Sequence, residues 1–318
     1  MPMVGIFSRT DAMNPYRNYT IVSVLYCSGD LHLGNYDWSY FFGTVNVKQR
    51  GQKNFMSVFA WLQSQIQSGK LGNARGRFKS LVLSGSSAGA LAQQVWSGYI
   101  LPRLKYDSSA VIVDSLAGLF PHSALKLLLK KYGVCKFIGQ INPALTSACT
   151  QSQMTIQDVL LSTLQSFPAT PFAFIQSKDD AVQTDFYDGV DLTQGLASKM
   201  LDTATFYTRT QSFLQSYNNK PNWLIYWINS QTHEYLTQTW FFKTNSFHSF
   251  GPDDISPPRL RRHLASSNSS APPPALHMWV SSLPLSPGAA ISSECSDASG
   301  RACDAAFEDK VYVQTAKK

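Results

Sequence analysis

The stretch Leu81-Val82-Leu83-Ser84-Gly85-Ser86-Ser87-Ala88-Gly89 carries an apolar segment straight into the pattern Gly-x-Ser-x-Gly. That arrangement is the sequence form of a nucleophile elbow, in which a serine sits on a sharp turn between a strand and a helix. Such a turn needs neighbours without bulk two residues before and after the serine, here Gly85 and Gly89. The next segment, Ala90-Leu91-Ala92-Gln93-Gln94-Val95-Trp96, is made of good helix formers. A helix starting there would set backbone N–H groups and a positive dipole end beside Ser87. The pentapeptide alone carries little weight in a chain with this much Gly and Ser, so the reading depends on what surrounds it.

Outward from the elbow, apolar runs alternate with helical patterns. The β-branched run Thr20-Ile21-Val22-Ser23-Val24-Leu25-Tyr26, closed by Ser28-Gly29-Asp30, predicts a buried parallel strand. Phe55, Val58, Phe59, Trp61, Leu62 and Ile66 are spaced for one helix face and predict a helix over 46–67. Further strands are expected at 79–84, 109–114, 171–176 and 222–229, with helices at 125–132 and 203–217. Alternation of this kind predicts an α/β fold with a doubly wound, mostly parallel sheet. The chain of 318 residues, 44% hydrophobic, can bury one large core. Composition then divides it into a catalytic domain over 1–250, a Pro/Ser-rich flexible insertion over 251–275, and a C-terminal end with a polar tail over 276–318.

Charged residues are scarce at 15% and aromatics plentiful at 13%, which suits a globular enzyme with apolar clefts better than a disordered chain. The formal charge of +7 is scattered apart from Arg259, Arg261 and Arg262, so no basic stripe argues for nucleic acid. No apolar run is long enough to span a membrane, and the first eleven residues do not read as a signal peptide. Of the five cysteines, Cys135 with Cys149 and Cys295 with Cys303 are close enough for local disulfides, leaving Cys27 alone. None is spaced with histidines as a metal site would require. Asn18-Tyr19-Thr20 and Asn268-Ser269-Ser270 are glycosylation sequons.

In open parallel sheets catalytic groups gather at the carboxyl ends of strands. After the strand ending near Gln176 come Asp179 and Asp180, and a carboxylate there could hold an imidazole in one tautomer and stabilise its cation. Adjacent aspartates also fit a solvated loop or a helix N-cap. After the last strand comes His233, placed to act as a general base. His32 lies early, His122 follows Pro121, His248 and His263 fall in or near the Pro/Ser-rich stretch, and His277 follows it. Only His233 combines a strand end with the order Ser…Asp…His.

These residues resemble the pectinacetylesterase/Notum family of carboxylesterases. The resemblance rests on Tyr26-Cys27-Ser28-Gly29-Asp30-Leu31-His32-Leu33-Gly34-Asn35, similar to the family's Tyr-Cys-x-Gly-Asp-x-His-x-Gly-Asn, and on Gly85-Ser86-Ser87-Ala88-Gly89, where most members have Gly-Cys-Ser-Ala-Gly. Asp180-Ala181-Val182-Gln183 resembles the family's acid loop and selects Asp180 over Asp179, and Ile228-Asn229-Ser230 with His233 resembles its histidine segment. The resemblance implies a secreted, cofactor-independent enzyme of α/β-hydrolase-like fold. Its substrates would be O-acyl esters, of acetyl above all, on pectin-like polysaccharide or another acyl carrier. It implies Ser87 as nucleophile, His233 as base, Asp180 as the acid orienting it, and the N–H of Ala88 as an oxyanion donor. Asp30 and His32 are expected to hold a loop. The family's Gly-Gly-Gly-Trp-Cys oxyanion motif has no counterpart here, since the chain contains no triple glycine. The expectation is therefore a chain truncated before the family's fourth strand, with the partner of Cys27 in the missing part. The alternatives are a catalytically impaired member and a lipase or thioesterase sharing only the elbow.

Overall fold

A strand buried along its whole length must be covered on both faces. Phe172–Ser177 and Trp223–Ile228 are buried at every position, and this sets the layering of the molecule. A computed structural model of the chain describes residues 4–40, 44–121, 124–193, 201–228, 230–242, 244 and 275–283. The Pro/Ser-rich stretch up to residue 274, the Cys295–Cys303 pair, the second sequon, His122, His248 and His263 lie outside the described residues.

Two strands, β1 (Tyr36–Tyr40) and β2 (Val45–Gln49), pair antiparallel, and helix α1 (Gly51–Gln67) follows. The main sheet contains β3 (Arg77–Ser86), β4 (Lys105–Asp114), β5 (Phe172–Ser177) and β6 (Trp223–Ile228). All neighbours are parallel, in the order β3-β4-β5-β6. Between β3 and β4 runs α2 (Ala88–Ile100). Between β4 and β5 come α3 (Ala124–Lys131), α4 (Cys135–Ile141), α5 (Thr146–Thr150) and α6 (Ile156–Ser166). Helices α7 (Ala181–Thr193) and α8 (Thr203–Gln215) separate β5 from β6, and α9 (Leu276–Ser282) comes last. The fold is α/β-hydrolase-like, a mostly parallel sheet flanked by helices.

Because successive side chains of a strand point to opposite faces, the sheet divides its apolar residues between two clusters. Val111, Val113, Phe172, Phe174, Trp223, Ile225 and Trp227 pack with Val95 and Trp96 of α2, Val159 and Leu160 of α6, and Leu214 of α8. On the other face Ile112, Ala173, Ile175, Leu224, Tyr226 and Ile228 meet Ile6, Tyr235, Phe241 and, from α9, Leu276 and Trp279. Each fully buried side chain of this size stabilises the fold by about 1.5–3 kcal/mol. The second face is thus closed by pieces from both ends of the described chain.

The run 20–26 is not a strand. Its backbone pairs with nothing among the described residues, and Val22, Leu25 and Tyr26 are exposed. β-Branched residues favour a strand through packing against a neighbouring edge and a covering layer, and neither is present there. The helix expected from residue 46 begins at Gly51 instead. Residues 45–49 alternate apolar and polar with period two and form β2, half of a hairpin that the sequence reading missed.

Cys135 and Cys149 form a disulfide joining α4 to α5. In the chain-entropy view, closing a loop of that length contributes about 3 kcal/mol. Cys27 is free and exposed. Asn18 of the first sequon is exposed as well. Among the described residues no helix is long and apolar enough to cross a membrane.

Candidate active site

Strand β3 ends at Ser86 and α2 begins at Ala88, so Ser87 alone makes the turn. Its φ of 53° and ψ of −123° lie where residues with side chains are strained, by about 1–3 kcal/mol. Fixed hydrogen bonds hold it there. The Ser87 N–H donates to the Asp114 carbonyl at 2.9 Å, and the Ser87 carbonyl accepts from the N–H groups of Ala90 and Leu91 at 2.8 and 3.2 Å.

The two motif glycines are not equivalent. A Cβ on Gly85 would lie 2.1 Å from the Gly89 carbonyl oxygen, a backbone atom that cannot move aside. A Cβ on Gly89 would meet nothing within 4 Å, which corrects the expectation that both flanks of the serine forbid bulk. Gly85→Ala is therefore expected to lower unfolding stability by about 3 kcal/mol. Gly89→Ala, in the first turn of α2, should leave stability unchanged or raise it by less than about 1 kcal/mol. Urea denaturation of the two variants separates the cases; equal losses would show that the turn relaxes.

The acid comes from the end of β5. Asp180 is fully buried, and its Oδ1 and Oδ2 accept from the backbone N–H and Nε2 of Gln183 at 2.9 and 2.8 Å. Gln183 is itself held, because its Oε1 accepts from Ala117 N–H at 3.1 Å and its Nε2 lies 3.1 Å from Gln176 Oε1. Asp179 goes elsewhere, to Thr203 Oγ1 and Gln231 Nε2.

The histidine comes from the loop after β6. His233 Nδ1 is 2.8 and 3.0 Å from the two carboxylate oxygens of Asp180. A carboxylate there accepts from Nδ1–H, which leaves Nε2 as the lone-pair nitrogen of the neutral ring. Nε2 is buried and has no hydrogen-bond partner among the described residues. Burial pushes the imidazole pKa down, but the hydrogen bond and charge of Asp180, with the charges of Glu234 and Asp114, leave it raised overall. No hydrogen bond joins Ser87 Oγ to His233 Nε2 in this structure. Such contacts are often loose without substrate.

What ties the serine to the histidine is Asp114, the last residue of β4. Its carbonyl holds Ser87, while its carboxylate accepts from the N–H groups of Tyr235 and Leu236, each at 2.7 Å. Sequence reasoning assigned no role to Asp114 or to Gln183. The signal existed: both stand at or just beyond strand ends, one of them within the acid motif. At the start of α2, the N–H groups of Ala88 and Gly89 carry no hydrogen bond among the described residues, as expected for the first turn of a helix. Asp30 and His32 serve the loop before β1. Asp30 accepts from Gly51 N–H and Ser28 Oγ, and the His32 carbonyl accepts from Trp96 Nε1. Among the described residues no cluster of His, Cys, Asp and Glu could hold a metal ion.

The profile of the pectinacetylesterase family matches residues 1–250, well over half of the chain. The chain belongs to the pectinacetylesterase family. Among curated proteins and solved structures nothing matches it. As a pectinacetylesterase-family member it falls among ester hydrolases that are generally extracellular. The match takes in the elbow, the acid loop and the histidine loop, and ends before α9.

Proposed function

We propose that this protein is a serine carboxylesterase that removes O-acyl groups, acetyl above all, from a pectin-like polysaccharide, using Ser87, His233 and Asp180. One observation carries the reading. A histidine bound through Nδ1 to a fully buried carboxylate keeps Nε2 unpartnered, on a loop pinned to the same aspartate that holds a strained serine. The separation of roles follows from that wiring.

In this reading Ser87 Oγ attacks the ester carbonyl carbon while His233 Nε2 takes the hydroxyl proton. The carbonyl becomes an oxyanion facing the N–H of Ala88, a donor already oriented by the turn. Collapse breaks the bond to the alcohol oxygen, and His233 hands its proton to that leaving group. Water then attacks the acyl-serine, again losing a proton to Nε2. Release of the carboxylic acid returns the proton to Ser87. Asp180 stays ionised throughout, fixing the tautomer and stabilising the imidazolium. Residues 1–250 would form the catalytic domain, with 251–275 an insertion and α9 restoring the core on the second face. The net charge of +7 favours an anionic polymer as the alcohol side. The Cys135–Cys149 disulfide accords with an extracellular setting.

Incubation with a fluorophosphonate ester and peptide mass mapping tests the assignment, alongside turnover of acetyl, butyryl and octanoyl nitrophenyl esters. Label on the peptide containing Ser87, with acetyl turned over fastest, is the expected result. Label elsewhere, or a folded protein that is neither labelled nor active, would overturn it and favour a silent family member. A preference for octanoyl would move the substrate class toward lipids.

A further inference from the structure

We propose that Asp114 is the positioning residue of this site, holding the His233 loop against the elbow so that Nε2 can reach Ser87; this rests on the reading of Ser87 and His233 given above. Asp114 is fully buried at the carboxyl end of β4. Its carboxylate receives four donors. Oδ2 accepts from Tyr235 and Leu236 N–H at 2.7 Å and from Ser86 Oγ at 3.2 Å, and Oδ1 accepts from Ser115 Oγ at 2.7 Å. Ser115 Oγ in turn accepts from Glu234 N–H at 3.0 Å. Three consecutive backbone N–H groups after His233 are thus fixed by one strand end.

The same residue fixes the serine from two sides. The Asp114 carbonyl takes Ser87 N–H, and its carboxylate takes the hydroxyl of Ser86, the residue just before the nucleophile. Ser115 adopts φ 63° and Glu234 φ 69°, so both strands of this contact are bent backbones that side chains rarely adopt. Strain of that kind persists only where surrounding bonds over-determine it. An ordinary buried aspartate would secure one loop; this one secures the two loops that must meet. Burial pushes its carboxyl up to about 6 in spite of the hydrogen bonds from Leu236, Tyr235 and Ser115.

The charge also faces the imidazole. The acidic groups acting on His233 are Asp180 from the end of β5, Glu234 from its own loop and Asp114 from β4. Asp114 therefore acts on the base in two separable ways, through geometry and through field. Asparagine keeps an oxygen for the two backbone N–H groups but loses the charge. Alanine loses both.

The test compares the full chain with Asp114→Asn and Asp114→Ala, measuring kcat and KM on nitrophenyl acetate across pH and titrating the His233 imidazole by NMR. In Asp114→Asn the imidazole midpoint and the ascending limb of kcat/KM should both move to lower pH. In Asp114→Ala, kcat should fall about 10²-fold, the penalty of a displaced catalytic group, while KM changes less than about threefold. A folded Asp114→Ala with kcat within about threefold of wild type, or an Asp114→Asn with an unmoved imidazole midpoint, would overturn the proposal. If the alanine variant does not fold, the asparagine variant decides alone. The NMR midpoint needs no turnover, so its outcome stands apart from whether Ser87 proves to be the nucleophile.

Discussion

Ser87→Ala is expected to lower kcat on nitrophenyl acetate by about 10⁶-fold, the scale seen when the nucleophile of a serine hydrolase is removed. The loss is that large because the acyl intermediate is lost with the Ser87 hydroxyl, and water attack would then depend on the Ala88 N–H and binding alone. Stability should hardly change. The Ser87 side chain is only partly buried and its hydroxyl makes no hydrogen bond among the described residues, while alanine suffers the same φ of 53°. Thermal unfolding within about 2 °C of wild type, together with the kinetic loss, would place the effect in chemistry. Residual activity within about tenfold of wild type would remove Ser87 from the mechanism.

Asp180→Asn should cost about 10⁴-fold in kcat. The amide can present its NH₂ to Nδ1, which drives the ring proton to Nε2, where it blocks the base. The pH profile carries the sign. In the wild type the imidazole is raised, so the neutral base forms only above the ordinary histidine range and kcat/KM climbs through a midpoint above about 6.5. Removing Asp180 deletes both the hydrogen bond and the nearest charge that oppose burial, and the midpoint should fall. Stability responds the other way round. Because the folded-state value is raised, the His233–Asp180 pair stabilises the fold fully below the unfolded value of about 6.5 and loses that contribution as pH rises through the folded midpoint. The gap in unfolding free energy between wild type and Asp180→Asn should therefore narrow from pH 5 to about pH 9. A constant gap would mean that the pair is not ionised as proposed.

The strands of the main sheet were legible because each is an apolar run ended by polar turn residues. The elbow strand was expected at 79–84 and spans Arg77–Ser86; the last was expected at 222–229 and spans Trp223–Ile228. Helix α8, expected over 203–217, runs Thr203–Gln215 for the same reason, a clear 3.6-residue period. The misreadings have two sources. Thr20–Tyr26 has the composition of a strand, but composition does not supply the neighbouring strand and covering layer that make burial favourable. Residues 46–49 of β2 read as helix because a short period-two pattern abuts a long helical one.

The sequence by itself determined the order of the main-sheet strands, the elbow turn where Ser87 takes a strained conformation, and the placement of an acid and a histidine after successive strands. These are local facts, set by periodicity and by which residues tolerate a given backbone. It could not determine that Gly85 is sterically obliged while Gly89 is not, because that depends on a carbonyl one helical turn away. The likeness of the acid loop pointed to Asp180, but the sequence carries no physical reason why Asp180 meets the imidazole while Asp179 turns to Thr203 and Gln231, since neighbouring side chains on a loop diverge only once the loop is folded. Least of all could it show Asp114 gripping residues more than a hundred positions later. Hydrogen bonds between buried groups distant in sequence follow from how the layers pack, and no local pattern along the chain encodes them.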